Sequence, residues 1–338
     1  MKVYAGIDLH SSNNYMGIID EQDQRLYQKR LPNRLEHILP TLEPCKESLE
    51  GVVVESTYNW YWLVDGLQAD GYKVHLANPS AIKQYEGLKH TDDKWDSFWL
   101  AHLKRLNILP EGYIYPKEER QVRDILRRRL LFVKHRVSHI LSLQSSITRN
   151  LGHKMSSRDI KKLEESDADK LFNEPFLILA ARNSISAIRF LGERIKEIEK
   201  AVKSHIKFKP EFKYLLTMPG IGDILGLTIM LEVGDISRFP KVSNYSSYCR
   251  CVKSEKLSNK KKKGEGNRKN GNKYLAWAYV EAAHFAKMHY SEAHSFYQRK
   301  EAKRNSIVAT KALGNKLARA SYYVMRDQVP YDARKLFG

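Results

Sequence analysis

The chain has 338 residues, with 58 Lys plus Arg against 39 Asp plus Glu and a formal net charge of +19, a length that suggests two or three domains. At 42 % hydrophobic and 29 % charged, it is too apolar for a disordered chain and too polar for a membrane-embedded one. Its three cysteines, Cys45, Cys249 and Cys251, exclude a disulfide framework, fall short of a closed four-ligand zinc site and suggest a reducing, cytoplasmic setting.

Residues 3–8 alternate in hydropathy and end on an acid, with no charged-then-apolar leader before them, and predict a first strand. Residues 15–19 and 25–30 predict two more strands in a meander, and residues 34–42 a helix. Residues 51–55 are a continuous apolar run ending in Glu55, as expected of a strand covered on both faces. A helix over 61–69, a strand over 73–77 and a helix over 92–106 follow. Three antiparallel strands and then parallel βαβ units predict an α/β fold, a mixed sheet flanked by helices. The Pro110 to Pro116 region marks a boundary.

From 117 to about 206 the pattern is helical. Ile188, Leu191, Ile195, Ile198 and Val202 form a coiled-coil stripe whose partner is either a helix of this chain or one of a second subunit. The longest apolar stretch, 215–234, contains Pro219, Asp223 and Glu232, so it cannot span a bilayer. Within it, an apolar helix, a Pro-Gly-x-Gly turn and a second apolar helix over 224–233 look like a helix-hairpin-helix element. Residues 253–273 carry nine basic and two acidic side chains and predict a mobile polyanion-binding loop. Residues 274–288 and 307–325 return to helix. The expected domains are therefore 1–112, a helical 113–208 and a mainly α-helical 209–338.

Charge is uneven along the chain. Residues 1–110 hold 12 basic and 15 acidic side chains, and the remainder hold 46 and 24. A basic body joined to a slightly acidic domain fits a nucleic-acid partner, with plain solubilising charge as the alternative. The expected contacts are Arg127, Arg128 and Arg129, three consecutive arginines in the long helix, and Lys260, Lys261, Lys262, Lys263, Arg268, Lys269 and Lys273 in the basic loop. Gly220 and Gly222 would let backbone N–H groups approach a phosphate at a helix N-terminus.

Four carboxylates carry the chemistry. Asp8 ends the first strand, Glu55 ends the fourth, and Asp93 and Asp96 open a helix three residues apart, on one face. If the first and fourth strands are neighbours, these acids converge. They would then repel one another unless divalent cations neutralised them. Oxygen-only ligands favour Mg²⁺ or Mn²⁺, and two such ions about 4 Å apart can activate a nucleophile at a phosphodiester. Asp92 is the alternative to Asp93. His10 follows Asp8 by two and faces the same side of its strand, and Tyr58, Trp60, Tyr61 and Trp62 could stack on bases or pack a core.

Gly6-Ile-Asp8-Leu-His10, Val53-Val-Glu55-Ser-Thr57, Asn78-Pro79 and Asp93-Lys-Trp-Asp96-Ser97 resemble the motifs of the DEDD transposases of bacterial insertion sequences. Met218-Pro-Gly-Ile-Gly222, Glu232-Val-Gly-Asp235, Arg238-Phe239 and Gly271-Asn-Lys-Tyr-Leu275 resemble that family's second domain. The resemblance implies an RNase H-like (RuvC-like) domain holding divalent metal on Asp8, Glu55, Asp93 and Asp96. It also implies a recombinase acting on donor and target DNA under the direction of a structured guide RNA. The family's second domain supplies a serine that becomes joined to cleaved DNA, some sixteen residues before the Tyr-Leu pair. Ser258 stands there, without the usual adjacent glycines, and Ser254 is the reserve. Because one recombination event breaks four strands, a dimer or tetramer through the 188–202 stripe is expected. The competing readings are a junction-resolvase-like nuclease using water as nucleophile and a non-enzymatic nucleic-acid-binding protein.

Overall fold

The computed structural model describes residues 1–82, 93–205, 209–252, 256–259, 261–264 and 270–337, apart from the side chains of Asp93, Lys94, His205, Lys256, Leu257 and Lys262. The chain divides into two compact units, Met1–Lys117 and Glu118–Gly338.

In the first unit β1 (Val3–Leu9), β2 (Asn13–Asp20), β3 (Arg25–Pro32), α1 (Leu35–Leu42), β4 (Leu49–Glu55), α2 (Tyr61–Ala69), β5 (Val74–Ala77) and α3 (Asp93–Arg105) follow in order. The sheet order is β3-β2-β1-β4-β5. β1, β2 and β3 pair antiparallel, and β4 joins β1 and β5 in parallel. Alternation along the strands decides what each face meets. Ala5, Ile7, Leu9, Val52 and Val54 pack in one cluster with Ile38 and Leu42 of α1 and Leu63 and Leu67 of α2. Val53 faces the other way and packs with Leu100 and Leu103 of α3. Covering both faces explains why residues 51–55 read as unbroken apolar sequence. Each fully buried aliphatic side chain contributes roughly 1.5–3 kcal/mol, which holds the two helical layers to the sheet. This mixed sheet flanked by helices is an RNase H-like α/β architecture.

In the second unit α4 (Lys117–Leu151), the short α5 (Ser157–Ile160) and α6 (Ala168–Leu171), and α7 (Pro175–His205) come first. Ile140, Leu143 and Ile147 of α4 cluster with Ala181, Ile185 and Ile188 of α7, while Leu126 near the start of α4 clusters with Ile198 and Val202. The two long helices are therefore antiparallel partners within one chain. The expected oligomerisation stripe is corrected by this packing: Ile188, Leu191, Ile195, Ile198 and Val202 are all 8 % exposed or less in the single chain, leaving that stripe no apolar surface to offer a second subunit.

The rest comprises α8 (Pro210–Leu215), α9 (Asp223–Val233), α10 (Val242–Tyr248), β6 (Lys256–Ser258), β7 (Lys261–Gly264), α11 (Lys273–His289), α12 (Ser291–Glu301), α13 (Ser306–Asp327) and α14 (Ala333–Phe337). α9, α11 and α13 share one core that includes Leu227, Ile229, Leu275, Ala282, Leu313 and Leu317. The basic segment read as a loop contains a two-stranded hairpin, β6 pairing antiparallel with β7. Among the described residues no helix is long and apolar enough to cross a membrane.

Candidate active site

Strand register sets the first acids. β1 and β4 align Ile7 with Val54, so the next residues, Asp8 and Glu55, stand level at the C-terminal ends of adjacent parallel strands. Both have the parity of Gly6 and Val53, which face α3. Gly6 is what lets α3 come close: a Cβ there would lie 2.0 Å from the Ser97 carbonyl oxygen and 2.8 Å from the Ala101 nitrogen. Asp96, adjacent to Ser97, is thereby carried to the strand ends.

The electrostatics of Glu55 report how close the three acids are. Burial, a hydrogen bond with Asp8 and the negative charges of Asp8 and Asp96 raise its carboxyl from 4.5 to about 8, so at neutral pH the crowded acids retain a proton. Asp8 itself is only 5 % exposed. His10 Nε2 lies 3.2 Å from Asp8 Oδ2, as its spacing from Asp8 anticipates. The turns beside the acids are tied together, because Asn33 and Asn59 both donate side-chain amides to the His10 carbonyl at 2.9 Å. Tyr58 on the β4–α2 turn is 83 % exposed, whereas Trp60 is buried and Tyr61 and Trp62 pack on the core. Three of the four aromatics thus serve the interior.

Asp93 is the first residue of α3, and its side chain, like Asp92, lies outside the described residues. Among the described residues, no group of three or more His, Cys, Asp or Glu side chains is set out to hold a metal ion. The donor chemistry nevertheless suits a hard divalent cation. The acids are oxygen-only, and Glu55 is forced to keep a proton by neighbours whose charge a cation would cancel.

In the second unit Ser258 is exposed at the end of β6 and pairs with Lys261. Asn259 follows it with φ 50°. Asn tolerates this left-handed conformation, so the turn after Ser258 forms without a glycine. Lys261, Lys263 and Lys273 are exposed; Ser254, Lys260, Arg268, Lys269 and the Lys262 side chain lie outside the described residues.

Three expected nucleic-acid contacts are corrected. Arg127 is committed to Glu232, with Nε to Oε1 at 2.6 Å and Nη2 to Oε2 at 2.8 Å. Arg129 donates to Glu199 at 2.9 and 2.6 Å. A Cβ on Gly220 would lie 2.1 Å from the Ala282 carbonyl oxygen, so this glycine serves close packing on α11. Arg128, the middle arginine, is exposed, as is Gly222 at the N-cap of α9. The helical period separates them: 127 and 129 turn inward on either side of 128.

Glu232 and Asn272 stand within the quoted motifs, but sequence assigns neither a role. Glu232 is 2 % exposed inside the apolar α9. Burial opposes its charge, but Arg127, Arg123 and Asn272 outweigh that and hold the carboxyl below the usual range. The available signal was a lone acid in an otherwise apolar helix.

An RNase H-like sheet with acids at the ends of neighbouring parallel strands, followed by a helical unit bearing a basic hairpin, fits the class of DEDD phosphodiester-processing enzymes. The comparisons agree on the family. The DEDD transposase of IS110 type matches residues 5–149, and the transposase IS116/IS110/IS902 family matches residues 212–298. The transposase for insertion sequence element IS1328 of Yersinia enterocolitica is 24 % identical over 332 residues, covering 94 % of this chain and 95 % of that protein. Together these matches support an IS110-family DEDD transposase, a DNA-recombining enzyme. The DEDD family generally implies the use of a divalent metal.

Proposed function

We propose that the protein cuts and rejoins DNA by two transesterifications, with Ser258 as nucleophile and Asp8, Glu55, Asp93 and Asp96 as the holders of Mg²⁺ or Mn²⁺, a pair of ions in the fullest form. The observation that carries this reading is the placement of Asp8 and Glu55 level at the ends of neighbouring parallel strands with α3 and Asp96 held against them; burial first, and then Asp8 and Asp96, raise Glu55 to about 8, as in a pocket suited to positive charge. When bound, divalent cations would neutralise these acids and supply Lewis-acid charge at the phosphodiester.

The chain's own groups account for the remaining chemistry. The Ser258 Oγ–P bond forms as the P–O bond to one deoxyribose oxygen breaks; the hydroxyl proton leaves Oγ and the departing oxygen gains one. A free sugar hydroxyl of another strand then attacks the phosphoserine and regenerates the serine. One ester replaces another at each step, so no external energy source is required. A serine hydroxyl is a weak nucleophile at neutral pH, so it must reach the acids of its own or another copy. Exposed Lys261 and Lys263 flank it with positive charge and, with Arg128 and Lys273, would hold phosphates. The resemblance further implies a structured guide RNA, a homo-oligomer and action at bacterial DNA in the cytoplasm.

The test is a plasmid carrying the insertion element with its flanks, incubated with purified protein and its copurifying RNA in Mg²⁺ and quenched in detergent. A protein–DNA adduct is expected in wild type and absent in Ser258→Ala, while Asp8→Asn abolishes both cutting and adduct. Adduct lost in Ser254→Ala but kept in Ser258→Ala moves the role to Ser254. Cut strands with no adduct in wild type refute the serine and leave water as the nucleophile. Sequencing the copurifying nucleic acid tests the guide RNA.

A further inference from the structure

The hairpin that bears Ser258 leaves the helical core and returns to it at one place, and several bonds define that place. The Asn272 N–H donates to the Tyr248 carbonyl at 2.6 Å. Arg250 Nε reaches the carbonyls of Asn270 and Gly271 at 3.0 and 3.1 Å. On the outgoing side, Asn315 Nδ2 donates to the Cys251 carbonyl at 3.1 Å. Gly271 has φ 86°, and a Cβ on it would lie 2.5 Å from the Tyr248 oxygen, so the returning strand enters against the end of α10.

Asn272 then does two things with one side chain. Its Oδ1 accepts the N–H groups of Tyr274 and Leu275 at 2.8 and 3.1 Å, capping α11. Its Nδ2 donates to Glu232 Oε2 at 2.7 Å. The same carboxylate receives Arg123 Nε at 3.0 Å and the bidentate Arg127 from α4. Asn272 and Glu232 are 7 % and 2 % exposed. A helix N-cap alone is served equally by Asp, Ser or Thr. The Asn amide carries its acceptor and its donor on separate atoms, so one side chain caps the helix and reaches the buried carboxylate; a Ser or Thr hydroxyl, though both donor and acceptor, ends one bond short of the Nδ2 position, and an Asp would set two carboxylates at 2.7 Å.

We infer that Asn272 is a positioning residue for strand transfer: its link to Glu232 fixes the root of the basic hairpin and so sets where Ser258 presents its hydroxyl. This rests on Ser258 being the nucleophile. α4, α9 and the first turn of α11 meet at the Glu232 carboxylate, and the basic segment ends directly at that turn. Displacement of a reacting group by about 1 Å can cost about 100-fold in rate.

The experiment uses the full chain and the element-bearing plasmid, comparing Asn272→Asp, Asn272→Ser and the double variant Asn272→Asp/Glu232→Gln. Thermal melting, plasmid binding and adduct yield per folded molecule are measured together. Asn272→Asp keeps a cap acceptor and loses the donor, and Asn272→Ser keeps the acceptor on a side chain that ends one bond short of the Nδ2 position; each is expected to lower adduct formation about 100-fold with plasmid binding little changed. The double variant restores a donor–acceptor pair with its polarity reversed and should recover most of the adduct. Wild-type yield from folded Asn272→Ser or Asn272→Asp overturns the inference. So does a double variant that melts like wild type but stays inactive. Cutting without adduct in wild type instead refutes the serine reading, separately from any effect at Asn272.

Discussion

Glu55 links the acid cluster to a measurable stability. In metal-free protein its carboxyl ionises near 8 when folded, against 4.5 ordinarily, so between those values the folded state binds the extra proton. Unfolding free energy therefore falls as pH rises from about 4.5 to about 8 and levels off above. At 1.36 kcal/mol per tenfold the gap sets an upper bound of about 5 kcal/mol. Partial exposure of Glu55 to water cuts this to about 2–3 kcal/mol. Urea unfolding in chelator from pH 5 to 9 reads it directly. Four of the five tryptophans, Trp60, Trp62, Trp95 and Trp99, lie in the first unit, so their emission reports the relevant transition. Glu55→Gln should remove the slope and be more stable than wild type at pH 8. Mg²⁺ at pH 8 should stabilise wild type and leave Glu55→Gln nearly unmoved. Parallel pH profiles for the two proteins, or equal stabilisation of both by Mg²⁺, would refute the charge-crowding reasoning.

Gly6→Ala puts a methyl 2.0 Å from the Ser97 oxygen, a backbone clash expected to cost roughly 3 kcal/mol, at the upper end of overpacking effects, read as lowered stability of the first unit. Arg128→Ala should reduce the salt dependence of nucleic-acid binding by about one unit of slope with melting unchanged. Arg129→Ala should do the reverse, since its guanidinium holds Glu199; filter binding across a salt series separates the two. Ile188→Ala should cost about 2–4 kcal/mol in the second unit, because the residue is 2 % exposed between α4 and α7. Light scattering should find the oligomeric state of that variant unaltered.

Local pattern was enough to locate β1, β4 and the two long helices, because period-2 alternation, an unbroken apolar strand and 3-4 spacing each follow from one element's own geometry. The same patterns put an acid at the end of β1 and of β4 and two acids at the start of α3. What they left open was pairing. Whether β1 neighbours β4, and whether the 188–202 stripe meets its own chain or another, depends on contacts between residues far apart in sequence. Ile7 opposite Val54, and Ile188 in one cluster with Ile140, Leu143 and Ile147, answer both.

Partners of charged side chains were beyond sequence for the same reason. Arg127, Arg128 and Arg129 are chemically identical and adjacent, yet a rotation of about 100° per residue turns the first to Glu232, 105 positions away, and the third to Glu199, 70 away. Glu232 and Asn272 stand 40 residues apart and acquire a role only when α9 and α11 meet. Composition determined that this chain folds, carries positive charge and sets a few acids apart; tertiary structure decided which charges face outward to a polyanion and which are consumed in holding the fold together.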